Sequence, residues 1–90
     1  MKIKNKLTTL EDYLNLNYPI TFYPENEGGY TVIIQDLEGC ISEGDTLEEA
    51  MKNILDAKQA WLKTAWKYDD FIPLPSHFIT NNYGKLPQVL

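Results

Sequence analysis

Six carboxylates fall within the sixteen residues QDLEGCISEGDTLEEA, positions 35–50, a stretch without lysine, arginine or histidine. Two or three carboxylates that converge on a divalent cation form the centre of a metal-dependent nuclease, because Mg²⁺ prefers oxygen ligands. The first four acids of the stretch are the candidates for that chemistry: Asp36, Glu38, Glu43 and Asp45. Without a cation, the same side chains form a surface that attracts a basic protein.

Local structure explains part of this acidity. Residues 36–39, DLEG, have the composition of a turn between strands, since Asp bonds to nearby backbone and Gly adopts positive φ. In GDTLEEA, Asp45 or Thr46 is suited to cap a helix, and Thr46 with Glu49 has the spacing of a capping box. With no basic residue nearby to hold a phosphate, these acids favour a partner surface over a metal site.

The whole chain is acidic, and the acidity is concentrated. Its 90 residues contain 13 acidic residues and 8 lysines but no arginine, which gives a net charge of −5. Residues 25–49 hold eight of the acids and no basic side chain. Nucleic-acid binding relies on clustered basic residues, so direct binding is disfavoured, and a basic protein is the expected partner. We predict partner contacts at Asp36, Glu38, Glu43 and Asp45.

The histidine, the cysteine and the aromatic residues near the end of the predicted helix need no catalytic role to explain them. His77 is the only histidine and has no second histidine or nearby cysteine with which to share a metal ion. Cys40 follows a turn and has no neighbouring histidine to activate it, so we expect a buried thiol. Trp61, Trp66 and Tyr68 either pack the helix or anchor an interface. Neither a metal nor a cofactor is expected.

Alternating hydrophobicity predicts three strands. Tyr18, Ile20 and Phe22 alternate with polar positions before Pro24, and the alternation resumes in YTVIIQ, residues 30–35, after the turn PENEGG. A short third strand over 40–43 follows DLEG. The connections are short enough that an antiparallel meander is the simple outcome.

Helical spacing predicts one long amphipathic helix, over 46–68. Its apolar positions recur at intervals of three and four: Leu47, Ala50, Met51, Ile54, Leu55, Ala57, Trp61, Leu62, Ala65 and Trp66. Thr8 with Glu11 fits a second capping box, which favours a short helix over 8–16, with a packed loop as the alternative. The two prolines of YDDFIPLPSHF, residues 68–78, end the long helix and favour an extended edge strand or covering arm.

Composition places the chain among cytoplasmic globular proteins. A hydrophobic fraction of 43% supports one modest core, and a single cysteine cannot form an internal disulfide. No apolar run approaches the roughly 20 residues that a spanning helix needs, and no signal-like segment follows the basic start. We expect one α+β domain in the cytoplasm with no membrane role.

Two segments together carry a family resemblance. YPITFYPENEGGYTVIIQDLEGCISEGDTLEEAMKNILDA, residues 18–57, with IPLPS at 72–76, closely resembles the HicB antitoxin family. The distinctive motifs are the aromatic-Pro strand, the Gly-Gly-Tyr hairpin, the Asp-Leu-x-Gly-Cys turn, the Gly-Asp-Thr-x-x-Glu-Ala helix start and the Ile-Pro-x-Pro segment.

The resemblance implies a partial RNase H-like fold without catalytic carboxylates, βββα with a further extended segment. It also implies a partner, HicA, a small basic toxin that cleaves mRNA and whose active-site histidine the antitoxin masks. Many family members add a C-terminal DNA-binding domain, but only some fourteen residues follow IPLPS here, so none is expected. We expect an N-terminal extension over 1–17, the HicB-like domain over 18–76 and an arm over 77–90.

Three hypotheses for function follow. The leading one is a non-enzymatic antitoxin that masks a HicA-like ribonuclease, with Tyr30 and Trp66 as apolar anchors beside the acidic contacts. The second is an orphan HicB-like structural module without a toxin, which self-associates through its sheet edges. Under either hypothesis a homo-oligomer, dimer or tetramer, is expected. The third is the metal-dependent nuclease.

Overall fold

The computed structural model describes residues 9–76, in which two helices and three strands form one α+β unit. The elements in chain order are α1 Leu10–Leu14, β1 Thr21–Pro24, β2 Tyr30–Ile33, β3 Ile41–Gly44 and α2 Leu47–Lys67. The predicted meander, long helix and short N-terminal helix are therefore confirmed. The predictions for residues 1–8 and 77–90, His77 among them, lie outside the described residues.

The three strands form an antiparallel sheet in the order β1-β2-β3. In the middle strand Val32 is fully buried, and α2 packs over β2 and β3 on that side, which we call the inner face. Side chains of a strand alternate between faces, so Thr31 and Ile33 lie on the opposite, outer face. The pairing places Ile33 between Thr21 and Ile41, and Thr31 between Tyr23 and Glu43.

Two turns that contain glycine connect the three strands. Gly28 and Gly29 both have positive φ in the first hairpin, where the Glu25 amide donates to the Gly29 carbonyl at 3.0 Å. In the second turn Leu37 folds back into the core and is fully buried. This turn closes with the Ile34 amide donating to the Cys40 carbonyl at 3.0 Å.

Helix α2 starts as predicted but ends for a different reason. The Thr46 side chain accepts the Glu49 amide at 3.0 Å, whereas the Glu49 carboxylate accepts the Asp45 amide at 2.8 Å. At the other end Asp69 adopts a φ of 60°, and the Asp70 amide donates to the Ala65 carbonyl at 2.8 Å. This arrangement is a Schellman motif, so the helix ends before the prolines are reached.

The buried stripe of α2 differs from the predicted one. Leu47, Met51 and Leu55 are exposed, because the sheet and α1 leave that side of the first turns uncovered. Lys58 occupies a core position instead and is only 9% exposed. The residues that α2 buries are Ala50, Ile54, Lys58, Leu62 and Ala65.

Helix α1 is capped one residue later than predicted. Thr9 and Asp12 form the capping box, with the Asp12 amide donating to the Thr9 hydroxyl at 3.1 Å. Tyr13 turns its ring into the core, where it meets Trp66 of α2 at a centroid distance of 5.9 Å. Because the helix has only five residues, this packing is what holds it against α2.

The segment after α2 acts as a covering arm within the described residues. Ile72 and Pro75 are buried, and residues 71–75 have no regular secondary structure, so they add no strand to the sheet. The Tyr18 hydroxyl donates to the Pro73 carbonyl at 2.7 Å. The Asp36 carboxylate then accepts the Ser76 amide at 2.9 Å.

Candidate protein-binding site

Acidic side chains from three separate segments meet at one end of the molecule. In a meander the first hairpin turn lies at the same end as the last residue of the third strand. Here β3 leads directly into α2, so the first turn of the helix joins them. We call this group of carboxylates the acidic end; its members are Glu25, Glu27, Glu43, Asp45 and Glu49.

Hydrogen bonds to the backbone and to neighbouring side chains fix the shape of the acidic end. The Thr31 hydroxyl donates to the Glu25 carboxylate, and the Asn53 amide group donates to the Glu43 carbonyl at 2.7 Å. A polar cleft of about 320 Å³ lies between the first hairpin turn and the start of α2. Glu43, which lines this cleft, and Glu27 of the hairpin turn are both exposed to solvent. The arrangement suits recognition of a positively charged group.

Three of the six predicted contact residues lie together in this region. Tyr30, Glu43 and Asp45 all line the polar cleft. Asp36 and Glu38 belong to the second turn, which a meander places at the opposite end of the sheet. The structure therefore divides the acidic stretch of the sequence between two ends of the molecule.

The other three predicted contact residues take part in hydrogen bonds or ring contacts within the domain. Asp36 is half-buried and binds the amide of Ser76. The Glu38 carbonyl accepts the Trp61 indole N–H at 2.7 Å, and that bond ties the second turn to α2. Trp66 is half-buried against Tyr13. A contact with a partner at Asp36, Glu38 or Trp66 stays a prediction.

Sequence reasoning missed three members of the acidic end as contact residues, Glu25, Glu27 and Glu49. Their position depends on the pairing of β1 with β2 and of β2 with β3, which no local pattern reveals. A signal was nevertheless present in the sequence. A hairpin turn at PENEGG followed by a meander requires residues 25–29 to lie beside the residue that ends the third strand.

The remaining titratable groups of interest are buried in the core. Cys40 is 2% exposed, and burial raises the pKa of its thiol, only partly opposed by Lys58. Burial likewise lowers the pKa of Lys58, whose ammonium donates to the Leu16 carbonyl at 2.6 Å. Burial also raises the pKa of Tyr18, whose ring lies 5.8 Å from that ammonium. None of the three faces solvent as a nucleophile would.

Two further features of the described residues concern potential metal ligands and an apolar groove. Across residues 9–76 no three histidine, cysteine or acidic side chains are grouped so that they would hold a metal ion. An apolar groove of about 500 Å³ lies beside β3, between Ile41, Ala60, Trp61 and Phe71.

Comparison with known families identifies the chain. Residues 18–85 match the family described as HicB_like antitoxin of bacterial toxin-antitoxin system, and the match includes the hairpin turn and both ends of α2. The chain belongs to this family. Membership in the HicB-like antitoxins indicates an antitoxin role and not an enzymatic one.

Individual relatives support the same assignment. A UPF0150 protein of Synechocystis is 41% identical over 58 residues, which are 64% of this chain and 80% of that protein. Antitoxin HicB 1 of Photorhabdus laumondii is 39% identical over 68% of this chain and 39% of its own length. Antitoxin HicB of Escherichia coli K12 is 36% identical over 71% of this chain and 51% of its own length. This HicB-like chain thus spans about half or less of those two antitoxins.

One structural finding concerns membranes. The longest helix, α2, carries charged residues along its exposed side. Across residues 9–76 of this HicB-like chain, no helix combines the length and apolar character that crossing a bilayer demands.

Proposed function

We propose that this chain is an antitoxin that binds a small basic HicA-type toxin and neutralises its mRNA-cleaving activity by covering the active site. The observation that carries the proposal is the convergence of five carboxylates at the acidic end, in a chain of net charge −5. The mRNA substrate of such a toxin places the complex in the cytoplasm. Masking needs no cofactor, metal or catalytic residue on the antitoxin side.

Electrostatics gives this surface its preference for a basic partner. The negative charges grouped at the acidic end create a field that steers a basic protein towards this end and speeds association. Residues 25–49 contain no basic side chain that would neutralise the group internally. Salt shortens the range of the field, to about 8 Å at physiological ionic strength. Binding should therefore weaken as salt rises.

The proposed contacts are polar groups around one aromatic side chain. Glu43 and Asp45 bind lysine or arginine side chains of the toxin, with Tyr30 as the apolar anchor in the cleft between them. Tyrosine suits this position because its ring supplies contact area while its hydroxyl bonds to polar groups. Asp36, Glu38 and Trp66 stay predicted contacts at more distant positions.

The second candidate function is an orphan module that self-associates into a dimer or tetramer. The feature in its favour is that β1 and β3 are edge strands, each paired on one side only among the described residues. Unpaired edges favour strand addition by another copy. A homo-oligomer is compatible with both functions, so light scattering alone does not separate them.

A pull-down from the native cells tests the proposal. The tagged chain serves as bait at low salt, and bound proteins are eluted with rising salt and identified by mass spectrometry. We expect a small basic protein that cleaves RNA once it is released. The matched control bait carries Glu27→Lys and Glu43→Lys, which leave the fold's hydrogen bonds in place and should lose this protein. Recovery of only further copies of the chain would instead support the orphan module.

A further inference from the structure

We propose that the outer face of the sheet is the apolar half of the partner's docking surface, continuous with the acidic end and matched to a basic protein. This inference rests on the proposed function and specifies which face of the domain the toxin covers. Its residues are Thr21, Tyr23, Thr31, Ile33, Ile41 and Glu43.

The strand register arranges the outer face as two rows. Thr21, Ile33 and Ile41 are direct cross-strand partners in one row, and Tyr23, Thr31 and Glu43 are partners in the next. Adjacent rows on one face are about 7 Å apart, because each same-face step spans two residues. The first row is apolar except for a threonine, and the second ends in a carboxylate.

Within residues 9–76 no helix covers this face, and its outer strands are exposed to solvent. Ile41 is 56% exposed and Tyr23 is 41% exposed, although both have large apolar side chains. Among residues 9–76 both helices pack on the inner side, around Val32, Ile34 and the core. The Gln35 amide donates to the Tyr23 hydroxyl at 3.3 Å, which holds the ring along the surface. Exposed aromatic and aliphatic residues in one plane are typical of an interface centre.

One end of the outer face carries a second acidic cleft. Glu25, Glu27 and Glu43 surround Thr31, whose hydroxyl binds the Glu25 carboxylate. Glu43 also lines the polar cleft between the hairpin turn and α2. The outer face and the acidic end therefore share residues and form one continuous surface. An apolar centre beside a rim of charge is the arrangement of a specific protein interface.

The geometry defines the chemistry of the partner. A complementary surface presents an apolar side chain to Ile33 and Ile41 and a lysine or arginine about 7–10 Å away, at the acidic cleft. Such a pair occurs at i and i+2 of an extended strand or across one to two turns of a helix. The partner is thus a basic protein with an apolar residue next to its positive charge.

Charge selects this occupant over a second copy of the chain. Two copies packed through their outer faces would bring Glu25, Glu27 and Glu43 of each close to carboxylates of the other, and like charges in an interface are costly. The exposed apolar stripe on α2, formed by Leu47, Met51 and Leu55, shows no electrostatic preference for a basic partner over a second copy of the chain. It is flanked by charges of both signs, such as those of Glu48 and Lys52.

Matched lysine substitutions test the inference. Tyr23→Lys and Ile41→Lys change opposite edges of the outer face, and Leu55→Lys changes an apolar residue on α2 that is 43% exposed. All three alter the net charge equally, so long-range attraction changes by the same amount. The probe is the HicA-type toxin of the same genome, purified with its active-site histidine replaced by Ala. Affinity is measured by calorimetry at two salt concentrations.

We expect Tyr23→Lys and Ile41→Lys each to weaken binding at least tenfold, as interface-centre residues do, and Leu55→Lys to change it less than about threefold. Circular dichroism melts confirm that each variant is folded. The milder Ile41→Thr keeps a β-branched side chain in the strand and should weaken binding by a smaller factor in the same direction.

Other results overturn the inference in distinguishable ways. If both outer-face variants bind the toxin as tightly as the wild type does, the antitoxin function is retained but the toxin interface does not lie on the outer face. An effect of Ile41→Lys without one of Tyr23→Lys moves the interface to the groove beside β3. If Ile41→Lys dissociates an oligomer of the chain alone in sedimentation equilibrium, a second copy covers this face. If the wild type binds no toxin at all, the proposed function fails together with the inference.

Discussion

At the scale of single residues, Lys58 shows how a polar side chain is accommodated in a core position of α2. Its stem lies among apolar neighbours, while its ammonium reaches the Leu16 carbonyl at 2.6 Å and the face of the Tyr18 ring at 5.8 Å. A hydrogen bond to a charged donor offsets much of the cost of burial. Lys58 thereby ties the segment before β1 to the long helix.

Removing this side chain should destabilise the domain. Lys58→Ala loses both the hydrogen bond and the packing of the stem, so we expect the free energy of unfolding to fall by about 2 kcal/mol. Lys52→Ala, at an exposed position of the same helix, should change it by less than about 0.5 kcal/mol. Urea denaturation of the three proteins provides the measurement. Equal stabilities would show that Lys58 contributes nothing to the fold.

The buried thiol of Cys40 should produce a pH dependence in the alkaline range. Burial raises its pKa above the ordinary value of 9.0, so near and above pH 9 the unfolded chain releases a proton that the folded chain retains. Stability from this group is therefore complete below about pH 8 and is lost as pH rises. We therefore expect the wild type to lose more stability than Cys40→Ala between pH 8 and pH 10.

Denaturation curves of wild type and Cys40→Ala at several pH values measure this difference. The comparison cancels the contribution of Tyr18, which both proteins share, whereas the pKa of Lys58 responds to the Cys40 thiolate and belongs to the difference that is measured. A gap in stability that stays constant from pH 8 to pH 10 would mean that the thiol ionises equally in the folded and unfolded chains.

At the scale of elements, the contact between β3 and α2 depends on Gly44. A Cβ at this position would lie 2.4 Å from the Ala50 backbone nitrogen and 2.7 Å from its Cα. Both atoms belong to the helix backbone, which cannot move aside as a flexible side chain would. The helix can pack this closely over the end of the strand because residue 44 has no side chain.

Gly44→Ala should therefore displace α2 and destabilise the domain by about 2–3 kcal/mol. Gly39→Ala is the matched control: its φ is +85°, but no atom lies within 4 Å of the added Cβ. Backbone strain alone should cost about 1 kcal/mol there. Thermal or urea denaturation measures both values. A control that is more destabilised than Gly44→Ala would contradict the importance of the close helix contact.

The elements themselves were predictable because local patterns specify them. Alternation around Val32 predicted the middle strand, and the recurrence of apolar residues from Ala50 to Ala65 predicted α2. The side of α2 that is covered was not predictable in its first turns. Leu47 and Leu55 have helical spacing, yet both are exposed, because a helix's own sequence does not encode which of its sides a neighbouring element covers.

At the scale of the whole molecule, folding rearranges the charge pattern of the sequence. The acids of 35–50 are one cluster along the chain, but the sheet sends Asp36 and Glu38 to one end and Glu43 and Asp45 to the other. It then brings residues 25–29 to the latter group. Composition alone thus leads to the hypothesis of a basic partner, whereas the position of the acidic end depends on the strand pairing.

Among residues 9–76, the same topology leaves the outer face of the sheet without a covering helix. The described helices lie on the inner face, so the exposed rows of the outer face lead directly to the acidic end. A small domain that covers only one face of its sheet gains stability if a partner covers the other. The proposed binding surface is therefore the face of the sheet on which the described helices do not pack.

Titration of RNA cleavage by the purified HicA-type toxin tests the central claim most directly. We predict that cleavage falls to zero as the chain approaches equimolar amounts, and that the double variant Glu27→Lys and Glu43→Lys needs at least tenfold more protein for the same inhibition. The control, Glu11→Lys with Asp56→Lys, makes the same change in net charge at exposed positions of the two helices and should inhibit like the wild type. Undiminished cleavage in an excess of folded wild-type chain would contradict the antitoxin function, and equal inhibition by both double variants would contradict the role of the acidic end.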